Sequence, residues 1–567
     1  MSSGRAPAEA RRRLRRMRQA LDDAATLWRY VVGLRGFLRT PLDLDAARRQ
    51  IAYAIETRPE QLLSIVGRAV YDRPQSPYLR LLEHAGVERA DFEALVGEEG
   101  VEGALARLYD AGVYVTVDEL KGKRPIRRGS LSLDVTPRDF DNPLLVKQYE
   151  ASTGGSGGAA RSLVGNFDTI ADTAHVWVPY DLAFPIRDRR RAVWFPMPPS
   201  LGGMMTALIF AKLGLELDRW FSQTRVDLSA RSARAVAVVG AAWSASRVWG
   251  ERLPFPEYTP PEEAVRVARW CAEQRSAGGA AYLVATPSSC VRVCSAAAEH
   301  DLDIAGTLFS MGGEPFTEAK AAAIRAAGCT AISSYGMSEL GALGVPCAQP
   351  EEWDEVHVAV DRVAVLERPR ELSGEASVDA MFLTGLNPTS PKLMLNADSG
   401  DYGVLAERDC GCPLHAFGYP LHLHTIRSYE KLTSEGMTFV GPDLIRLVED
   451  YLPSRFGGGP HDYQLVEEER EGATKVRLLV SPQLGPLDEG DVADQALRFL
   501  GSGGRPEAMM ADVWRGAGAL EVVRREPHVT AASKVMPLHV VRAERAYAGG
   551  ASTSTSERPA VASSSNT

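Results

Sequence analysis

The sequence predicts an α/β protein: a large N-terminal lobe of several subdomains, with α/β layers and a β-rich part, followed by a small mobile α+β lid at the C-terminus. Three observations carry this. From about 140 to 340 short apolar runs alternate with amphipathic stretches, the texture of mostly parallel strands layered with helices. Apolar and polar residues then alternate through Val356 to Val365 and Ala380 to Thr384, as in half-buried antiparallel strands. After Arg427 comes a compact strand and helix pattern of roughly 120 residues, the size of a small domain.

In chain order, the first twenty residues carry Arg5, Arg11, Arg12, Arg13, Arg15, Arg16 and Arg18. This acid-poor run has the texture of an organellar transit peptide but reads as a solvated helix. Residues 21 to 115 are expected to be helical, because Leu62, Leu63, Ile65, Val66 and Val70, then Phe92, Leu95, Val101, Leu105 and Leu108, recur near the helical period. In the α/β part, Ala235 to Val239 and Tyr282 to Ala285 read as short strands around a helix from Glu262 to Gln274. The longest apolar stretch, Met204 to Leu217, is broken by Lys212 and Glu216, so no membrane span is expected. Beyond Arg427 the pattern gives helices at Leu444 to Tyr451 and Val492 to Leu500 and strands at Tyr463 to Glu467 and Lys475 to Val480. The expected organisation is a helical region at 1–130, a large lobe at 131–427, a lid at 428–547 and a disordered Gly/Ala/Ser/Thr tail at 548–567.

Composition narrows the function. With 64 basic and 73 acidic residues the net charge is -9, and no basic stripe runs through the body, which disfavours binding of nucleic-acid phosphates. Seven irregularly spaced cysteines do not make a disulfide scaffold, and a reduced, cytoplasmic setting is expected. Arginine-rich, alanine-rich usage points to a bacterial source.

Three loops can carry chemistry. Thr153-Gly154-Gly155-Ser156-Gly157-Gly158, ending at Arg161, lets backbone N–H groups converge on an anion, with hydroxyls and one cation to help. It is not a Walker loop, since Gly-Lys-Ser/Thr is absent. Ser333 to Glu339 follows a strand-like segment, the place where α/β proteins bind ligands, and pairs an acid with hydroxyls that suit magnesium beside phosphate. Gly312-Gly313-Glu314-Pro315 sits about twenty residues earlier in a similar context, its glycines permitting close approach of a flat ligand. Trp243, Met311 and Met337 are further candidates for a pocket wall. Finally, Cys410-Gly411-Cys412, Cys347 and His357 offer three thiolates and an imidazole, a closed tetrahedral zinc set, with His415, His422 and His424 as alternative fourth ligands. Cys271, Cys290, Cys294 and Cys329 read as core.

Taken in order, these loops, with Phe195-Pro196-Met197-Pro198-Pro199, Ala285-Thr286-Pro287-Ser288, Ser399-Gly400-Asp401-Tyr402-Gly403, Ile426-Arg427 and Ser533-Lys534-Val535-Met536-Pro537, resemble the adenylate-forming superfamily of acyl-CoA synthetases. The phenylacetate-CoA ligase branch is the most similar, and the likeness spans about residues 140 to 540. The resemblance implies ATP-dependent, AMP-forming activation of a carboxylic acid, an aryl or related small organic acid, and transfer to a thiol. That thiol would be coenzyme A or the phosphopantetheine of a separate acyl carrier protein. It implies that Thr153 to Gly158 wrap the ATP phosphates, with Arg161 standing where the family usually has lysine. Gly313, Glu314, Pro315 and Ser334, Tyr335, Gly336, Met337 and Ser338 would line the adenine and acyl pocket. Glu339 would bind Mg2+, Asp401 the ribose hydroxyls, and Arg427 the nucleotide near the hinge. Lys534, one of only nine lysines in the chain, would be the catalytic cation of the lid. Relatives of this branch also carry a structural zinc. A fatty acyl-protein synthetase and a non-catalytic nucleotide or acyl-adenylate binding protein are the alternatives, and the helical N-terminal region reads as a cover for the large lobe or a homodimer contact.

Overall fold

The computed structural model describes residues 28–540 apart from 147, 154–160, 199, 201, 225–229, 315, 372–376, 429–430, 435–436, 441–443, 445, 460–461, 471–472, 503–504 and 529–537. Its centre is a six-stranded sheet in the order Thr330–Ser333, Leu308–Met311, Ala281–Ala285, Arg190–Trp194, Arg219–Ser222, Glu257–Tyr258, every neighbouring pair parallel. Side chains of successive strand residues leave opposite faces, and the two faces enter different cores. Tyr282 and Val284 join one core with the helix Gly202–Lys212, while Leu283 and Ala285 join the other with the helices Ala264–Ser276, Pro287–Glu299 and Glu318–Ala326. Burial on both faces explains why Ala281–Ala285 is apolar throughout rather than alternating.

The chain leaves this sheet at Ser333, crosses Ser334, and enters a second, antiparallel sheet at Tyr335–Met337. The order there is Tyr335–Met337, Gly341–Pro346, Val356–Val358, Leu421–Ser428, Ala397–Glu407, Ser377–Gly385, Val363–Glu371. Two sequence expectations change. The run Val356 to Val365 is two strands broken by a turn at 359–362, and both it and Ala380 to Thr384 are buried throughout instead of half-buried. The reason is cover: the helices Arg89–Asp110, Val117–Leu120 and Phe167–Val176 all pack onto this sheet. Ala235 to Val239 is part of the helix Ala230–Trp249, because a short apolar run does not distinguish a strand from a helix segment by period alone.

One buried residue bonds the end of the N-terminal helices to the start of a sheet strand. Asn396 is fully buried, has φ 46, and donates from Nδ2 to the carbonyls of Leu105 at 2.8 Å and Val113 at 3.2 Å, the C-terminal end of the helix Arg89–Asp110 and the loop after it. Asparagine tolerates the left-handed region and adds a hydrogen bond to each of the two carbonyls. Past residue 440 a third core forms around Leu447, Tyr463, Leu478, Leu497 and Trp514. Its sheet runs Leu520–Arg524, Ala473–Val480, Tyr463–Arg470, Leu538–Val540, a central hairpin flanked by parallel partners. It touches the body where Arg292 Nη2 donates to the carbonyl of Ala517 at 2.8 Å, at the end of the helix Arg505–Ala517. Among the described residues no helix is long and apolar enough to cross a membrane.

Replacing Asn396 by alanine removes both carbonyl partners and leaves a Cβ residue at positive φ, so Asn396→Ala should lose about 2 to 4 kcal/mol of unfolding free energy. Asn396→Gly, which tolerates the backbone, should lose less. Urea unfolding of the two variants checks the order, and equal stability of Asn396→Ala and the native chain would refute it.

Candidate functional site

All six parallel strands end at one edge, and the sequence motifs are the segments that leave it. Thr286 follows Ala281–Ala285 and caps the helix Pro287–Glu299 by accepting from Ser289 N at 3.3 Å. Phe195 and Met197 follow Arg190–Trp194: the Phe195 carbonyl accepts from Trp220 Nε1 at 3.0 Å, and Met197 N donates to Ser222 Oγ at 3.3 Å. Met311 ends its strand, and its carbonyl accepts both Ser334 N at 2.8 Å and Ser334 Oγ at 3.0 Å. That zips the loop starting at Gly312 to the junction between the sheets. A Cβ on Gly312 would stand 3.2 Å from Ser334 Oγ and crowd it, and the φ of +85 at Gly313 requires glycine there.

The Glu314 side chain is turned inward. Its carboxylate accepts from Ser288 Oγ at 2.6 Å and Ser288 N at 3.1 Å and faces Lys320 Nζ at 3.6 Å, with both side chains fully buried. It therefore fixes the loop, and only the backbone of that residue is left to face a ligand.

Across the junction, Tyr335 OH donates to Asp401 Oδ2 at 3.0 Å. Burial, then the charges of Asp401 and Glu339, push the Tyr335 phenol far above its ordinary value, so it remains a donor. Asp401 sits after Gly400, which has φ +80, and its N–H donates to Ser399 Oγ at 3.1 Å. Asp401 Oδ1 carries no hydrogen bond among the described residues. Glu339 is buried and takes a hydrogen bond from Ser338 Oγ at 3.0 Å. Tyr180, buried near Ser334, is stacked on Trp177 at 4.8 Å between ring centroids. Neither aromatic residue carried a sequence signal, since both lie outside every motif.

The structure thus brings Ser334, Tyr335, Ser338, Glu339 and Asp401 together with the Gly312–Gly313 turn. Arg427 is not bonded to this group: register pairs it with Tyr402 and pairs Asp401 with Ser428, and its Nη1 donates to Asp354 Oδ2 at 2.8 Å. Gly336 and Met337 lie in the strand Tyr335–Met337, where a Cβ on Gly336 would meet the Gly341 carbonyl at 2.8 Å. Thr153 and Arg161 end the two strands of an antiparallel hairpin. Gly154, Gly155, Ser156, Gly157, Gly158, Pro315 and Lys534 lie outside the described residues. Trp243 is elsewhere, packed against Arg247 at 3.5 Å beside a cleft of about 400 Å³. That cleft is lined by Arg190 and Arg219, at the opposite, amino edge of the sheet.

About the Cys410-Gly411-Cys412 turn, the ligand atoms of Cys347, His357, Cys410 and Cys412 all lie within 4.8 Å of one another. Gly411 has φ +69, which lets the turn point both sulfurs the same way. His357 Nδ1 bonds the Tyr419 carbonyl at 2.6 Å, and Nε2 faces Cys412 Sγ at 3.1 Å and Cys410 Sγ at 3.6 Å. Burial and the neighbouring His422 push the His357 imidazolium down to about 4, so the ring is neutral, with its proton on Nδ1 and its lone pair toward the sulfurs. Burial raises the Cys412 thiol, but the N–H groups of Ala348, His415 and Leu414 outweigh it and leave that thiol lowered. Three thiols and a neutral imidazole fit zinc in donor type and number.

The other histidines have different partners. His422 Nδ1 lies 2.5 Å from Glu355 Oε1, His415 Nδ1 bonds the Arg408 carbonyl at 3.0 Å, and His424 Nδ1 bonds Thr425 Oγ1 at 3.0 Å. Cys271, Cys290, Cys294 and Cys329 are buried in the core on the other side of the parallel sheet.

No protein-family model and no curated protein matches the sequence. Among solved structures, the chain is similar to a 2-hydroxyisobutyryl-CoA ligase in complex with 2-HIB-AMP and CoA, at 15% identity and a TM-score of 0.48, over 88% of this chain and 91% of that one. It is also similar to an amide bond synthetase from Marinactinospora thermotolerans, at 13% identity and a TM-score of 0.35, over 86% and 97%. An acetoacetyl-CoA synthetase from Streptomyces lividans matches at 14% identity and a TM-score of 0.30, over 69% and 54%.

Glu355 supplies a pH test of the cysteine-rich region. Burial pushes its carboxyl up, but His422, Arg408 and the N–H groups of Glu351 and Glu352 outweigh it and hold it at about 2, against an ordinary 4.5. A lowered value stabilises the fold above the unfolded pKa and is lost as the pH falls through the folded one. Glu355→Gln should therefore be less stable than the native chain at pH 7, and the gap should close as the pH drops from about 4.5 toward 2. Urea titrations at stepped pH read this directly, and a gap that widens on acidification would contradict it.

Proposed function

We propose that this chain is an ATP-dependent, AMP-forming acid-thiol ligase. The observation that carries the reading is the constellation at the carboxyl edge of the parallel sheet. There the Gly312–Gly313 turn lies against Ser334, and Tyr335 across the junction donates to one oxygen of Asp401 while the other oxygen is left to accept. An ionised carboxylate with an open oxygen suits a pair of ribose hydroxyls, since it only accepts. The Gly312–Gly313 backbone gives a flat base room to lie close. Gly154 to Gly158 of the glycine-rich loop, with Thr153 and Arg161 at its ends, are assigned to the triphosphate.

In the first step an acid oxygen attacks the α-phosphorus of Mg-ATP in line, the bond to the β-phosphate oxygen breaks, and pyrophosphate leaves with its electron pair. Glu339 is the carboxylate assigned to the magnesium, and Lys534 is assigned to the charge developing on the α-phosphate and the acid. In the second step a thiolate attacks the acyl carbon and AMP leaves. Movement of the unit after Arg427, with its separate core, would withdraw Lys534 and admit the thiol of coenzyme A or of a carrier-protein phosphopantetheine. An aryl or other small organic acid is the assigned substrate class. The helical N-terminal region covers the antiparallel sheet, and the domain limits proposed are 1–130, 131–427 and 428–547.

The cysteine cluster is assigned a structural zinc held by Cys347, His357, Cys410 and Cys412. Zinc there would supply four strong bonds between distant chain segments and no catalytic position, because all four ligands come from protein.

Pyrophosphate exchange with a panel of acids tests the main reading. Response to aryl acids upholds it, response to long alkyl acids transfers it to a fatty acyl-protein synthetase, and no response leaves a non-catalytic binding protein. Lys534→Ala should depress exchange at least 100-fold while thioester formation from supplied acyl-adenylate changes far less. Equal loss in both would refute that role. Metal analysis should find about one zinc per chain and less than a third of that in Cys412→Ser, since a closed site needs its four ligands. Zinc at equal levels in both proteins would remove the assignment.

A further inference from the structure

The strand Leu421–Ser428 reaches Arg427 through a conformation that strands avoid. Thr425 has φ 55, a left-handed value that is a genuine outlier for a β-branched residue. Such strain persists only where the surroundings over-determine it, and here one carboxylate takes three hydrogen bonds across the turn. Asp354 Oδ1 accepts from Thr425 N at 2.8 Å, and Asp354 Oδ2 accepts from Ile426 N at 3.0 Å and from Arg427 Nη1 at 2.8 Å. Its side chain is 7% exposed, so these bonds are made out of water.

Asp354 is itself held on both flanks. Trp353 lies under the Arg325 guanidinium at 4.1 Å from the ring centroid, and Glu355 is bonded by His422, Arg408 and the N–H groups of Glu351 and Glu352. Arg427 is gripped by only part of its fork. Nη1 bonds Asp354 and the Ile426 carbonyl, whereas Nε and Nη2 make no bond among the described residues, and the side chain is 28% exposed.

We infer that Asp354 is the positioning residue of Arg427: it pins the Thr425 turn and one nitrogen of the guanidinium so that the rest of the fork is presented to the nucleotide. A lone arginine loses rotamer freedom when it binds, and a buried carboxylate fixing one end removes part of that cost beforehand. This rests on the proposed contact between Arg427 and the nucleotide. It adds the pairing with a residue that no motif marks, supplied by a turn 73 residues away in sequence.

The test uses the full-length chain and AMP as the probe, with calorimetry on the native protein, Asp354→Asn, Asp354→Ala, Arg427→Ala and the double variant Asp354→Ala with Arg427→Ala. Amide hydrogen exchange is followed at residues 425–427. Asp354→Ala should weaken AMP about tenfold or more. Asp354→Asn, which keeps one acceptor oxygen, should fall between it and the native chain. The double variant should bind no worse than Arg427→Ala alone, and exchange at Thr425 and Ile426 should accelerate.

Unchanged AMP affinity in Asp354→Ala, or the same loss repeated on top of Arg427→Ala, overturns the positioning role. Unchanged amide protection overturns the clamp. If the native chain binds no AMP, the ligase reading falls and the nucleotide role of Asp354 falls with it, while accelerated exchange at 425–426 would still uphold the clamp on the turn.

Discussion

Two hydrogen bonds on one oxygen set the geometry of the body. The Met311 carbonyl takes both the N–H and the hydroxyl of Ser334, so the strand that ends the parallel sheet and the strand that begins the antiparallel sheet meet at a fixed angle. Everything at the site follows from that angle. A side chain on Gly312 would crowd Ser334, and Tyr335 has to leave the junction toward Asp401. Small residues at 312, 313 and 334 are thus a packing demand before they are a chemical one, and a ligand uses room that the folding of two sheets has already cleared.

A second organising element is the turn from Glu351 to His357. Three polar side chains leave it for different tasks: Asp354 to Arg427, Glu355 to His422 and Arg408, and His357 to the three thiols. The cysteine cluster also continues inward. The Tyr419 carbonyl bonds His357, the Tyr419 hydroxyl donates to Asp361 at 2.8 Å, and Asp361 faces Arg362, which donates to Asp172 at 3.0 Å. Asp172 lies on the helix Phe167–Val176, directly after the hairpin that carries Thr153 and Arg161. These paired groups link the thiols to the helix that follows the hairpin.

The fold class and the order of the motifs were legible because each depends on local pattern. Period-2 and period-3.6 apolar spacing, and glycines next to acids, survive in one dimension. The cysteine set was also legible, as residue types whose chemistry admits few other groupings, and the structure brings Cys347, His357, Cys410 and Cys412 together. What escaped depends on burial or on distant partners. Val356 to Val365 alternates in sequence but is buried throughout by segments from elsewhere in the chain. Ala235 to Val239 has too few residues to declare its period. Glu314 sits in a ligand-like loop yet turns inward, because Ser288 and Lys320 offer it better partners than water does. Asp354 is one acid in an acidic run, and nothing local says that its oxygens belong to a strand 73 residues away.

The bond between Asn396 and the Leu105 carbonyl spans 291 residues. At a synthesis rate of about 5 to 20 residues per second, the N-terminal helices emerge from the ribosome roughly 15 to 60 s before the strand they dock on. Throughout that interval the apolar stripe of Leu62, Ile65, Phe92 and Leu105, buried in the finished molecule, has to be satisfied by the helices packing on one another or by a chaperone. The segment with no evident part in the chemistry therefore governs how safely the molecule is made.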